Sequence, residues 1–197
     1  MNEQMLLFRE RLQQKLDPMR YEHSIGVSFT AMALAMRYGY SLEKAEIAGL
    51  LHDCAKHFQD SEIIRKCRKH KIFLTGDELK APAVLHAVYG AWLAEHRYGV
   101  KDPEIISAIR WHTTGKADMS LLEKIIYIAD YIEPRRSKAE DLAMVRKMAF
   151  MDLNETIFCI LEGTLKYLGN KKASVDSMTY EAYEYYKEHR NPLKGEV

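Results

Sequence analysis

Six side chains of metal-ligand type interrupt stretches that otherwise read as apolar helix: His23, His52, Asp53, His86, His112 and Asp130. All offer nitrogen or oxygen, a set that suits a borderline or hard metal ion and argues against a thiolate site. The adjacent pair lies in Ala48-Gly49-Leu50-Leu51-His52-Asp53-Cys54-Ala55-Lys56, read as the middle of an apolar helix. Neither residue belongs there for packing, because a buried ionisable group costs several kcal/mol unless it is paired, hydrogen-bonded or bound to metal. Helical side chains lean back over the preceding turn, so His52 should overlie Ala48 and Asp53 should overlie Gly49, two small residues that leave room for an ion. A His-Asp pair alone is more often a surface feature or a satisfied core histidine. The weight comes from the four others, each on a helix of its own. Four such residues can close one site, and six can hold two ions.

The elements that must bring them together read as helices throughout. The first covers about residues 2–16. Asp17-Pro18 caps a second, with His23 in its opening turn and Gly39 closing it. Ser41 starts a third, which carries His52-Asp53 and frays near Phe58. Asp60-Ser61 starts a short fourth, rich in Arg65, Lys66, Arg68, Lys69 and Lys71 and most simply a solvated face. After a polar loop around Thr75-Gly76-Asp77, Pro82 introduces a helix that holds His86 and runs to Gly99. Asp102-Pro103-Glu104 caps the next, which ends at Trp111-His112-Thr113-Thr114-Gly115. Ser120 and Glu123 form a capping box for a very apolar helix interrupted by Asp130 and stopped by Pro134. Ser137 with Glu140, and Asp152 with Glu155, begin two more, the second closed by Gly169. A tyrosine-rich helix spans about Asp176 to His189. With no strand signal, internal repeat or Gly/Ser linker, the expectation is one all-α domain, a helical bundle over residues 1–197. Ligands from separate helices would then project inward from facing elements.

The totals bound the function. Lys and Arg number 29 against 28 Asp and Glu, a formal net charge of +1, so no general field draws the chain to nucleic acid or to an anionic membrane. Cys54, Cys67 and Cys159 are odd in number and lack CxxC spacing, as expected of thiols in a reducing cytoplasm. The start, MNEQMLLFRERLQQK, is charged and amphipathic, and no long apolar run occurs, so neither a signal peptide nor a membrane span is expected.

The segments RYEHSIGV, AGLLHDCAK, LHAVYGAWLA, IRWHTTG and YIADYIEPRR, in this order over roughly residues 18–140, resemble the YqeK-type proteins, HD-domain symmetrical bis(5′-nucleosyl)-tetraphosphatases of bacteria. The resemblance implies a metal-site core over about 18–140 with a helical C-terminal part over 141–190, and a homodimer. It implies that His23, His52, Asp53 and Asp130 hold an iron ion, with manganese, cobalt or zinc as the other candidates. His86 and His112 then ligate a second metal or bind the phosphate chain. Arg20, Lys56, Thr113 and Arg135 match the positions that contact ADP in that family. The implied reaction splits diadenosine tetraphosphate into two ADP.

Elementary chemistry supports that reaction. A metal polarises a phosphoryl oxygen and lowers the pKa of bound water towards about 7, so metal-bound hydroxide can serve as the nucleophile. Asp53, Lys56, His86 and His112 are the candidate catalytic residues. Lys56 should lie one turn beyond the His-Asp pair, close enough to touch a phosphate. Arg135, just past Pro134, should fold back over the site, where a guanidinium grips phosphate in bidentate fashion. Ordinary roles compete: His112 could cap carbonyls at its helix end, His86 could be a satisfied core residue, and Lys56 could complement a helix dipole. His57, His70, His96 and His189 read as surface, and Trp92 and Trp111 as core. Two other functions fit the same residues: another HD-type phosphohydrolase, such as a nucleoside monophosphate phosphatase, or a nucleotide sensor or assembly protein with little turnover.

Overall fold

The computed structural model describes residues 3–137 and 141–190. These form eleven α-helices: α1 (Glu3–Gln13), α2 (Pro18–Tyr38), α3 (Leu42–Leu51), α4 (Asp60–Lys69), α5 (Gly76–Lys80), α6 (Leu85–His96), α7 (Pro103–Trp111), α8 (Leu121–Ile132), α9 (Leu142–Met148), α10 (Leu153–Asn170) and α11 (Ser177–His189). A 3₁₀ turn, Pro82–Val84, precedes α6, and no strand occurs among the described residues.

The boundaries follow from local chemistry. Asp17 accepts a hydrogen bond from Arg20 N ahead of Pro18, while Gly39 closes α2 in the left-handed region at φ 68°. Ser41, Asp102, Asp152 and Asp176 cap α3, α7, α10 and α11 in the same way, and Ser120 with Glu123 forms the expected capping box of α8.

Several boundaries depart from the sequence reading. The third helix stops at Leu51, and the chain then runs through tight turns bonded three residues apart: Cys54 N to Leu51 O, Lys56 N to Asp53 O, Phe58 N to Ala55 O. His52 and Asp53 therefore stand on the exit from a helix rather than in its middle. Thr75-Gly76-Asp77 opens α5, because Thr75 and Glu78 make a second capping box. The sixth helix ends at His96, short of Gly99, and α10 continues through Gly169 to Asn170. Glu140 lies outside the described residues; in that region the observed helix is α9, preceded by Asp141.

The α2 helix packs against α3 and α8, α7 packs against α3, α6 and α8, and α10 joins α8 to α11. At the centre lies α8, whose Leu122, Ile125, Ile126, Ile128 and Ala129 are fully buried. Each such Leu or Ile side chain contributes roughly 1.5–3 kcal/mol from burial alone. No described helix is long and apolar enough to cross a membrane.

One glycine sets how closely α3 meets α2. A Cβ on Gly49 would lie 2.8 Å from Ser28 Cα and 3.2 Å from Val27 O, both backbone atoms that cannot swing aside. The small residue expected to make room for an ion thus makes room for a neighbouring helix. Gly49→Ala should destabilise the protein by about 1–3 kcal/mol in denaturant unfolding. Gly76→Ala, where nothing lies within 4 Å of the added atom, should stay within about 0.5 kcal/mol of the parent.

Candidate metal centre

The six candidate ligands arrive from five places in the chain. His23 is in the second turn of α2, His52 and Asp53 leave α3, His86 is the second residue of α6, His112 follows α7, and Asp130 is in the last turn of α8. Their meeting shows that these helix ends gather at one end of the bundle. His23 Nε2 lies 3.0 Å from Asp130 Oδ1, and His52 Nε2 lies 3.8 Å from that oxygen and 3.4 Å from Asp53 Oδ2. On the other side of Asp53, its Oδ1 is 3.2 Å from His86 Nε2 and 3.6 Å from His112 Nε2. The rings meet edge to face, His23 with His52, His52 with His112, and His112 with His86.

A common local device aims three of these rings. His52 Nδ1 donates to Gly49 O at 2.7 Å, His86 Nδ1 lies 2.8 Å from Ala83 O, and His112 Nδ1 donates to Ile109 O at 2.8 Å, each acceptor three residues earlier in the chain. Helix termini leave carbonyls without intrahelical partners, and here an imidazole N–H satisfies them. A proton held at Nδ1 by the carbonyl fixes each ring's orientation and turns its Nε2 toward the carboxylates. His112 therefore caps carbonyls, as its ordinary role would have it, and still joins the cluster. His23 is held differently: its Nδ1 lies 3.2 Å from Glu133 Oε1.

Charge balance at the cluster is tight. Asp53 is 2% exposed, and burial pushes its carboxyl pKa up, but His52, His112 and His86 hold it well below the usual carboxylate range. Asp130 is held low too, as His23, His52 and Arg136 outweigh its desolvation. For His86 the desolvation wins, and its imidazole is pushed down to about 4 despite Asp53. His23 moves up, since Asp130 and Glu133 together overcome its burial. The Nε2 atoms of His23 and His52 are buried with no hydrogen-bond partner. Two overlapping triads, His23–His52–Asp130 and His52–Asp53–His112, each keep their ligand atoms within 4.8 Å of one another. Orphaned imidazole nitrogens, ionised carboxylates and preset tautomers make a donor set that fits a cation.

The surrounding cations are placed less simply. Arg20 donates to Asp53 Oδ2 at 2.8 Å, and Thr113 Oγ1 lies 3.2 Å from His86 Nε2 and 3.1 Å from His112 Nε2. Lys56 does not project into the cluster. Its Nζ is 2.9 Å from His86 Nδ1, on the outer edge of that ring, and burial lowers its pKa. Arg135 does not fold over the site: its backbone N–H is engaged by Glu133 Oε2, and its side chain, 62% exposed, pairs with Glu22 at 2.6 Å. The guanidinium on the cluster is that of Arg136, which gives Nη2 to Asp130 Oδ1 at 2.6 Å and Nε to Asp130 O at 3.0 Å.

Sequence reading missed Glu133 and undervalued Arg136. Glu133 is 2% exposed at the end of an apolar helix and three residues from Asp130, hence on the same face, a spacing that was the available signal. His96 is exposed and His70 half-buried, and both rings stack on Trp92. Trp92 is half-buried and stacked between His70 at 4.0 Å and His96 at 4.5 Å.

Comparison with known proteins agrees with this arrangement. The family description HD domain matches residues 20–135. The chain is 42% identical over 169 residues to a symmetrical bis(5′-nucleosyl)-tetraphosphatase from Halalkalibacterium halodurans, covering 83% of this chain and 87% of that one. It is 38% identical over 180 residues to the protein of the same name from Bacillus subtilis, covering 88% and 92%. A crystal structure titled as a predicted HD superfamily hydrolase involved in NAD metabolism, from Clostridium acetobutylicum, superposes with a TM-score of 0.90 at 39% identity over 93% of this chain and 97% of that one. The chain belongs to the HD-domain family, among the symmetrical bis(5′-nucleosyl)-tetraphosphatases.

Proposed function

We propose that the cluster binds metal, with iron as the resident ion, and hydrolyses diadenosine tetraphosphate and related dinucleoside polyphosphates symmetrically to two nucleoside diphosphates. The observation that carries this reading is that four imidazole Nε2 atoms converge on the carboxylate oxygens of Asp53 and Asp130 at 3.0–3.8 Å, those of His23 and His52 being buried with no hydrogen-bond partner. His23, His52, Asp53 and Asp130 would hold the ion, and His86 and His112 complete a second position or meet the phosphate chain. When bound, such a metal supplies Lewis acidity and a nucleophile at neutral pH.

The chain's own residues do the rest. Arg20 and Arg136 bring guanidinium groups to either side of the two carboxylates, where they can turn to the phosphates of a bound tetraphosphate. His86, neutral at pH 7, and His112 offer Nε2 edges beside the Thr113 hydroxyl, a set able to orient a phosphoryl oxygen or a water by hydrogen bonds. Lys56, 2.9 Å from His86 Nδ1, adds a positive charge that helps keep that imidazole unprotonated. A symmetrical product requires that the central phosphate bridge break, water's oxygen adding to one inner phosphorus while an ADP leaves from the other side. The three cysteines are free thiols, in keeping with a cytoplasmic enzyme.

Product analysis tests the reaction: ADP alone is expected from diadenosine tetraphosphate, whereas an intact dinucleotide together with release of adenosine and inorganic phosphate from AMP would replace this activity with a monophosphatase. Asp53→Asn should abolish turnover and leave the helical circular dichroism intact; if the parent protein also binds nucleotide without hydrolysing it, a sensor role stands instead. Elemental analysis of protein purified without chelator should read iron. Glu133→Gln removes the charged partner of His23 and should weaken metal binding about 10–100-fold in chelator competition. Unchanged affinity there would show that His23 is not a ligand held by Glu133.

A further inference from the structure

A cavity of about 510 Å³ lies between α1, α4 and α6 and shares no residue with the histidine–aspartate cluster. Six cationic side chains line it, Arg11, Lys15, Arg65, Lys66, Lys69 and Arg97, and no carboxylate does. Glu62 lies 3.5 Å from Lys66 and 4.0 Å from Arg65, which leaves Arg11, Lys15, Lys69 and Arg97 with no acidic partner among the described residues. In a chain whose formal net charge is +1, this is a strong local concentration of one sign. Like charges gathered around a concave surface raise the local concentration of anions, and the arrangement is stabilised once an anion fills it.

The walls between the cations are aromatic. Phe58 and Tyr89 meet edge to face at 5.6 Å, and Lys66 Nζ sits 4.5 Å over the Phe58 ring. Tyr98, 6% exposed, completes the wall with a hydroxyl that is buried and has no hydrogen-bond partner. Arg11 is braced by Arg97, donating Nη1 to its carbonyl at 3.0 Å. The volume falls within the roughly 300–1,000 Å³ typical of small-molecule sites. Arginine forks and lysines recognise phosphate, and aromatic faces stack on bases for about 1–3 kcal/mol each. The helix expected to present a merely solvated basic face thus forms one wall of a chamber.

We propose that this cavity is a second nucleotide site, which takes a nucleoside polyphosphate with its phosphate chain among Arg11, Lys15, Lys69 and Arg97 and its base against the half-buried Phe58. The site stands apart from the metal centre and does not depend on the hydrolytic reading. Calorimetric titration of the metal-loaded protein with adenylyl imidodiphosphate tests it. Binding should survive Asp53→Asn, and it should weaken about tenfold or more in Lys69→Glu/Arg97→Glu, whose hydrolysis of diadenosine tetraphosphate in the absence of the analogue should equal the parent's. Should the charge reversal unfold the protein, Lys15→Ala/Lys69→Ala reads the same loss. Equal affinity in the parent and in the cavity variants would overturn the proposal. So would sodium tripolyphosphate binding as tightly as the analogue, which would leave an anion trap without base recognition. A short single-stranded RNA that displaces the analogue and binds more tightly would overturn it in favour of an RNA-binding groove.

Discussion

Two neighbouring carboxylates, Asp53 withdrawn from water and Asp130 half-buried beside it, are the constraint on which this molecule is built. A buried carboxylate costs several kcal/mol after relaxation, and it stays ionised only where positive charge or N–H donors surround it. Asp53 has Arg20 on one oxygen and the inner edges of His86 and His112 near the other, and Asp130 has Arg136 and His23. Every element that reaches the cluster delivers part of that compensation. The compensation is incomplete, since the Nε2 atoms of His23 and His52 are buried with no hydrogen-bond partner. The residues present fit a cation, which would resolve that balance in one step.

The location of the cluster follows from the same electrostatics. The α3 and α7 helices end at it, and α8 places Asp130 in its last turn. The C-terminal end of a helix carries a partial negative charge and unpaired carbonyls, so it favours a cation nearby and can hold an imidazole N–H. One feature of backbone chemistry thereby serves twice, orienting the histidines and adding negative potential where a cation belongs. The close approach of α2 to α3 at Gly49 connects this to the fold, since the same residue whose missing side chain admits Ser28 lends its carbonyl to His52.

Behind the histidine–aspartate cluster lies a layer that holds the Pro134 turn. Glu133 receives His23 on one oxygen and Arg135 N–H on the other, and it stands where a side chain on Gly26 would be: an added Cβ would lie 2.6 Å from its Oε2. Arg146 donates to the carbonyls of Ile132, Glu133 and Arg136, pinning both sides of the turn. This bracing decides which arginine meets Asp130. Arg135, its backbone tied to Glu133, turns its side chain outward to Glu22, and Arg136 comes back over the last turn of α8.

Residue type and spacing by themselves determined the all-helical class, the positions of most caps and the six side chains that converge on one cluster. These rest on short-range rules: proline and Asx or Ser caps, helical periodicity, and the cost of placing His or Asp on an apolar face. Tertiary structure decided what those rules cannot reach. Whether α3 continues past Leu51 depends on where the chain must turn to bring Lys56 to His86, residues 30 apart in sequence. Whether Arg135 or Arg136 faces inward depends on Glu133 and Arg146, and the cationic chamber exists only because α1, α4 and α6 meet. Pattern in sequence reports the period and polarity of one element at a time, whereas the direction of a side chain at a helix end and the sum of charges around a cavity are set by contacts between elements.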